Sequence, residues 1–258
     1  MTKPAAALAD EREDRYRAPA LDKGLDILEL LSEQAGGLTR GEIVKAMGRS
    51  PGEIYRMLER LVVRDYVSRS AEGDRYALTM KLFVLAHRHP PVRRLVARAM
   101  PLMDGFAREI GQSCHLVAPD AASGIVVAQA SCPGNWEFGI RVGTHLDLLS
   151  TGSGLVLLAF QDAHAREELL VRWEGTDKAN QLLASEPLLT ACKMLGHRVG
   201  KSQQLVGVED LTVPVLSPDG FAIAALTCPF LERIDSAAPS ASVALASLKA
   251  LGEKLSLS

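Results

Sequence analysis

Two helix-start signals stand close together in this chain. Thr39-Arg40-Gly41-Glu42 and Ser50-Pro51-Gly52-Glu53 are separated by a Gly48-Arg49 break. In a capping box the hydroxyl at the N-cap accepts from the backbone N–H three residues on, and the acid there reaches back. Thr39 and Ser50 both suit the N-cap, and Pro51 suits the first helical position. After the second signal Ile54, Met57, Leu58, Leu61 and Val62 recur at helical spacing, with Tyr55, Arg56, Glu59 and Arg60 on the other face. The first signal leaves room only for a short helix carrying Ile43, Ala46 and Met47. A short helix, a tight turn and an amphipathic helix make a helix-turn-helix.

The flanks extend this pattern. Leu21, Leu25, Leu28 and Leu31 mark one face of a preceding helix, which Gly36-Gly37 stops. Tyr66–Arg69 and Arg75–Leu78 read as strands around the turn Ala71-Glu72-Gly73-Asp74. The order predicts a winged helix-turn-helix over residues 20–80. Residues 1–19 are polar and charged and read either as a flexible arm or as an extension without a structural role. A linker at 81–91, including His87–Pro91, leads into a long helix with Leu95, Ala99, Leu102, Phe106 and Ile110 on one face. Pro101 predicts a kink or break in it.

Residues 92–258 alternate between strands and helices. Cys114–Ala118, Ile125–Ala130 and Phe138–Val142 read as strands; Gly154–Ala163, Ala165–Trp173 and Pro187–Leu195 read as helices. Leu211–Leu216 and Ala222–Cys228 pair across Ser217-Pro218-Asp219-Gly220, and Ser240–Leu255 closes the chain as a helix. The fold class is α+β, an N-terminal winged helix-turn-helix joined by a linker helix to an antiparallel α+β domain.

Several function classes are disfavoured. No apolar run is long enough to cross a bilayer, and the N-terminus has no secretion signal, so a cytoplasmic protein without a membrane partner is expected. Cys114, Cys132, Cys192 and Cys228 are scattered without a CxxC pair, which reads as reduced thiols without disulfides. The six histidines form no metal-ligand spacing, and no phosphate-binding glycine loop is present, so neither metal nor cofactor is expected. Cys114-His115 makes a poor nucleophile–base pair, because strand neighbours point to opposite faces. Cys132 and Cys228 read as buried structural thiols, with thiol redox chemistry as the enzyme alternative. The chain is not expected to be an enzyme.

DNA is the expected partner. The net charge of the chain is −2, yet residues 38–88 carry ten basic against six acidic side chains. Such a modest local excess binds DNA weakly as a monomer, so a homodimer or homotetramer on repeated half-sites is expected. Arg49, Ser50, Tyr55 and Arg56 are candidates for the groove; Thr39, Arg40, Arg69 and Arg75 are candidates for phosphates. A protein-interaction adaptor that uses the winged helix without DNA is the alternative.

The chain resembles the IclR family of bacterial regulators. Ala20-Leu21-Asp22-Lys23-Gly24-Leu25-Asp26-Ile27-Leu28, Ser50–Leu58 and Tyr76-Ala77-Leu78 are similar to that family's opening, recognition helix and wing end. Leu149-Ser150-Thr151-Gly152-Ser153-Gly154 and Gly207–Val215 are similar to two segments of its second domain. The resemblance implies a GAF-like effector-binding domain, an oligomer, a small-molecule effector and control of a catabolic operon. It implies an effector pocket that includes the 150–154 loop, lined by Phe138, Leu146, Gly152, Ser153, Asp210, Ala225 and Thr227. Leu155 departs from the lysine often found there. Read without the resemblance, the loop is either an anion-attracting helix start or an ordinary cap with close-packed glycines. Asp210 takes hydroxyl or amine groups, or faces solvent. Trp136 and Arg141 flank the loop, with Arg141 read as a solvated strand residue before a partner for an acidic effector. A small organic acid is the expected effector.

Overall fold

The computed structural model describes residues 18–71, 74–88, 90–134, 138–233 and 239–256. They form two units that divide between Pro90 and Pro91.

In the first unit α1 (Pro19–Ser32) precedes β1 (Leu38–Thr39), α2 (Arg40–Met47) and α3 (Pro51–Val63), and β2 (Val67–Arg69) and β3 (Arg75–Leu78) follow. The Thr39 box forms: its hydroxyl accepts from Glu42 N at 3.2 Å, and its backbone N–H donates to the Glu42 carboxylate at 2.7 Å. The second box does not form as expected. Ser50 sits at the N-cap without capping through its side chain. Its hydroxyl instead donates to Glu53 Oε2 at 3.0 Å, while Lys23 Nζ draws the same carboxylate to 2.6 Å. Donation alone does not forfeit a cap, since the Thr39 hydroxyl also donates to Glu42 Oε2 at 2.9 Å and still accepts from Glu42 N. Ile27, Leu31, Ile43, Ile54, Leu58, Val67 and Tyr76 make the core. The strands form a three-stranded antiparallel sheet in the order β1-β3-β2; β1 was not expected. Residues 72–73 of the wing turn lie outside the described residues. Lys81–Arg88 is helical and forms α4.

The second unit is built on α5 (Pro90–Ile110), which continues through Pro101 without the break considered above. The strands are β4 (Cys114–Asp120), β5 (Ser123–Ala130), β6 (His145–Asp147), β7 (Arg198–Lys201), β8 (Val208–Leu216) and β9 (Ala222–Leu231). They form one antiparallel sheet in the order β6-β5-β4-β9-β8-β7. Between β6 and β7 run α6 (Gly152–Ala159), α7 (Ala163–Arg172), α8 (Asp177–Ala184) and α9 (Glu186–Leu195), and α10 (Ala241–Leu255) closes the unit.

Strand alternation assigns the two sheet faces. Leu116, Leu211, Val213, Leu226 and Cys228 face α5 and α10, where Met103, Phe106 and Leu248 complete one core. Val117, Val126 and Ala225 face the opposite way, towards Leu155, Val156 and Leu158 of α6 and Cys192 of α9. Segment 138–142 is not a strand. Pairing with β5 resumes only beyond it, where Val126 N donates to Thr144 O at 3.0 Å and Gly143 N donates to Val126 O at 2.8 Å. Gly143 takes φ +89° there, a turn that glycine adopts without steric cost.

Candidate DNA-binding surface and effector cavity

On α3 the sequence stripe sorts as its spacing dictates: Ile54 and Leu58 are sealed, while Tyr55 and Arg56 are exposed. The Arg40 guanidinium of α2 lies 5.6 Å from the Tyr55 ring centroid. Arg49 and Ser50 are exposed in the turn between these helices. On the wing, Arg69 stacks 5.7 Å from the Tyr76 ring centroid. Arg75 is engaged within the unit: it donates to Gly37 O at 3.0 Å and lies 3.9 Å from Glu42. The Thr39 hydroxyl is likewise occupied by its box. The Lys23–Glu53 pair was not foreseen. Hydrogen bonds from Lys23 and Ser50 hold the Glu53 carboxyl down at about 2.

In the second unit a cavity of ≈ 70 Å³ lies at the start of α6. Phe138, Leu146, Gly152, Ser153, Asp210 and Thr227 line it, together with His115 and Ile140. Ala225 is not part of that lining; it is fully buried in the α6-side core. Arg141 is exposed, and Trp136 lies outside the described residues. Larger hollows of ≈ 760 Å³ beside α7 and ≈ 880 Å³ beside segment 201–209 lie elsewhere on the unit. The smaller cavity is the better candidate because buried polar groups converge on it.

The loop before α6 is fixed from below. Asp147 accepts from Leu149 N at 2.9 Å and Ser150 N at 3.0 Å, and pairs with Lys178 at 2.7 Å. Burial alone would raise the Asp147 pKa, but Lys178, Leu149 N–H and Ser150 outweigh it and hold it low. Thr151 caps the helix by accepting from Gly154 N at 3.0 Å. A Cβ on Gly154 would lie 2.4 Å from Leu148 Cα, so only glycine fits. Leu155 is buried in the core and offers no group to the cavity.

Sequence reasoning named Ser153 and Thr227 of the polar floor but missed His115 and the residues beyond it, Thr212 and Arg198. The Ser153 hydroxyl lies 2.8 Å from Thr227 Oγ1 and 3.5 Å from His115 Nε2, and Thr227 donates to Thr212 Oγ1 at 3.1 Å. His115 is wholly buried, which pushes its pKa down to about 4 and keeps it neutral. Its sequence neighbour Cys114 points to the other face, and burial pushes that thiol up to about 12. Burial also raises the pKa of Asp210, with Arg198 and the Gly152 N–H opposing. The signal for His115, Thr212 and Arg198 was available only through strand register: His115 pairs with Thr227, Thr227 with Thr212, and Thr212 with Arg198.

Residues 20–71 match the IclR helix-turn-helix domain, and residues 91–256 match the C-terminal domain of bacterial IclR transcriptional regulators. The chain belongs to the IclR family. Among curated relatives it is 28% identical over 223 residues to the regulator XynR of Escherichia coli, covering 84% of this chain and 88% of that protein. It is also 28% identical to KdgR of the same organism, over 81% of this chain and 80% of the relative. Among solved structures it is similar in fold to an IclR homolog from Microbacterium hydrocarbonoxydans complexed with 4-hydroxybenzoate. The TM-score is 0.73 and the identity 21%, over 92% of this chain and 97% of that one. The Thermotoga maritima IclR structure gives a TM-score of 0.67 at 20% identity, over 91% and 96% of the two chains. The chain is thus a transcriptional regulator with an IclR-type helix-turn-helix DNA-binding domain and an IclR C-terminal domain. Among the described residues no helix is long and apolar enough to cross a membrane.

Proposed function

We propose that this IclR-family member binds an operator through α3 and that a small organic acid in the α6 cavity sets its affinity. The observation that carries the DNA reading is the division of α3. Its Ile54–Leu58 stripe is spent on the core, which leaves Tyr55 and Arg56, with Arg49 and Ser50 beside them, presented to a groove. Thr39, Arg40, Arg69 and Arg75 serve the flanking phosphates, Arg75 from its position at Gly37. Residues 20–80 form the DNA-binding domain, 81–91 the linker and 92–258 the effector domain of a cytoplasmic protein.

The protein acts as a homodimer or homotetramer. Exposed apolar side chains on α1 (Leu21, Leu25) and on α4 (Leu82, Leu85) suit a contact between copies. The relative crystallised with 4-hydroxybenzoate supports an organic acid in the second domain.

Fluorescence anisotropy on DNA from the chain's own upstream region, beside a scrambled duplex and at several salt concentrations, tests the reading. Specific binding with a steep salt slope is expected. Replacing Arg49 and Arg56 with alanine should weaken it by about tenfold or more per contact. Absence of binding at low salt by the folded protein would refute it.

A further inference from the structure

The C-terminal end of α3 closes in a turn that its own backbone satisfies only in part. Asp65 follows the helix with φ +59°, the left-handed conformation. Its N–H donates to Val62 O at 2.9 Å, and the Tyr66 N–H reaches back to Leu61 O at 2.9 Å. This Schellman arrangement satisfies two carbonyls of the last helical turn. It leaves Arg64 O, at the cap, and Asp65 O, beyond it, without a partner in the helix.

Both carbonyls are met from the far side of the wing. Thr79 Oγ1 donates to Asp65 O at 2.5 Å, and the Thr79 N–H donates to Tyr66 O at 3.0 Å. Lys81 Nζ donates to Arg64 O at 2.5 Å and stands 4.7 Å from the Tyr66 ring centroid. Thr79 and Lys81 are joined in turn, because the Lys81 N–H donates to the Thr79 hydroxyl at 3.2 Å. A cation at this end of a helix also meets the negative end of its dipole. Lys81 is the first residue of α4, so α4 starts on the end of α3.

Lys81 is one of the ten basic side chains of residues 38–88, yet its place is wrong for a groove contact. A recognition helix meets base edges with its N-terminal residues. The 13 residues of α3 put its C-terminal end about 20 Å from Ser50. At that opposite end Lys23 of α1 pairs with Glu53 at 2.6 Å. Lysines from two other helices thus hold α3 at both ends.

We infer that Lys81, acting with Thr79, is a positioning residue for operator recognition. It ties the end of α3 to the start of α4 and so sets the pitch at which α3 enters the groove, and it makes no phosphate contact. A rotation of α4 is passed to α3 through Arg64 O. The inference rests on the reading of α3 as the operator-binding helix.

The test compares full-length variants by anisotropy on the upstream duplex and on a scrambled one, across a salt series. Lys81→Met keeps the stem beside Tyr66 and removes the ammonium. It should weaken the upstream duplex by about tenfold, spare the scrambled duplex and leave the salt slope unchanged. Lys81→Arg should restore most of the loss. Thr79→Val alters no charge and should lower the upstream-to-scrambled ratio in the same direction. Simple loss of folded protein would weaken both duplexes alike and leave that ratio where it was. Equal weakening of both duplexes by Lys81→Met, with a slope lower by about 0.9, would make Lys81 a phosphate contact and overturn the inference. An unchanged ratio in either variant would also overturn it.

Hydrogen exchange at the Asp65 and Tyr66 amides reads the same tie in the free protein. Lys81→Met should speed exchange there by tenfold or more and spare Ile54 and Leu58. Unchanged exchange would overturn the inference whatever the DNA does. Faster exchange in Lys81→Met, with a wild type that prefers neither duplex, would overturn the reading of α3 and keep the tie between α4 and α3.

Discussion

The two faces of the six-stranded sheet are made from the same strands; both bury apolar side chains, but the polar row lies on only one of them. On β9, Ala224, Leu226, Cys228 and Phe230 face α5 and α10 and form a dry core, whereas Thr227 faces α6 and joins a hydrogen-bonded row. On β4 the same division separates Cys114 from His115. One face holds the domain together by burial. The other interrupts its burial with polar groups that must all be matched, because an unmet one is costly. The unmatched nitrogens of Arg198 lie on this second face. A strand can thus serve stability and recognition at alternate positions, without either intruding on the other.

The sharpest way to break this comparison is to damage the dry face alone. Leu226 is fully buried there and pairs in register with Leu116 and Val213. Leu226→Ala should cost about 2–5 kcal/mol through lost burial and a residual cavity. Denaturant titration measures that loss, and the pH dependence of stability set by His115 on the other face should stay put. A shift in that pH dependence would mean that the faces are coupled.

The polar face should answer to pH instead. Burial lowers the His115 pKa from 6.5 to about 4, so between those values the unfolded chain holds a proton that the folded chain does not. Stability therefore rises with pH across that window and is lost as pH falls from 6.5 towards 4. At 1.36 kcal/mol per unit this amounts to about 3 kcal/mol. His115→Gln should remove that share of the pH dependence, as read from unfolding midpoints at pH 7 and pH 4.5. An unchanged slope would place the imidazole in water.

Thr227→Val keeps the shape of the side chain and deletes its hydroxyl. Ser153 and Thr212 each lose a partner, and the expected cost is about 1–3 kcal/mol. Thr227→Ser, which retains the hydroxyl, should keep that bonding and cost less. Equal losses in both would assign the site to packing rather than to hydrogen bonding.

What was legible in the sequence follows the range of the interactions. The Thr39 box, the α3 stripe and the wing strands are set by neighbours within a few residues, and the winged helix could be read directly. Ser50 misled because its partner Glu53 answers to Lys23, thirty positions away. Segment 138–142 has the apolar alternation of a strand, but a Cβ on Gly139 would meet Gln129 Nε2 at 1.9 Å, and the backbone lies close over that side chain instead of pairing. Phe138 and Ile140 still share a side, and both reach the cavity. Arg198-Val199-Gly200-Lys201 is too polar and short to announce β7, so its arginine went unnoticed. The row from His115 to Arg198 exists only through register among four strands, which no local pattern carries.

The smallest expected effect concerns a position that belongs to neither face. Ala121, between β4 and β5, has φ +45°. The left-handed region costs an L-residue roughly 1–2 kcal/mol, because Cβ crowds the following carbonyl. Glycine escapes that crowding but loses roughly 0.5–1 kcal/mol through greater freedom in the unfolded chain. Ala121→Gly should therefore stabilise the protein, by at most about 1.5 kcal/mol. The hairpin carries Leu116 towards the dry core and His115 towards the polar row, so both faces should gain together. Global unfolding measured by denaturant and ligand-induced shifts in melting should move in parallel. A gain confined to one of them would show that the faces unfold separately, and the division argued from β4 and β9 would then extend from chemistry to cooperativity.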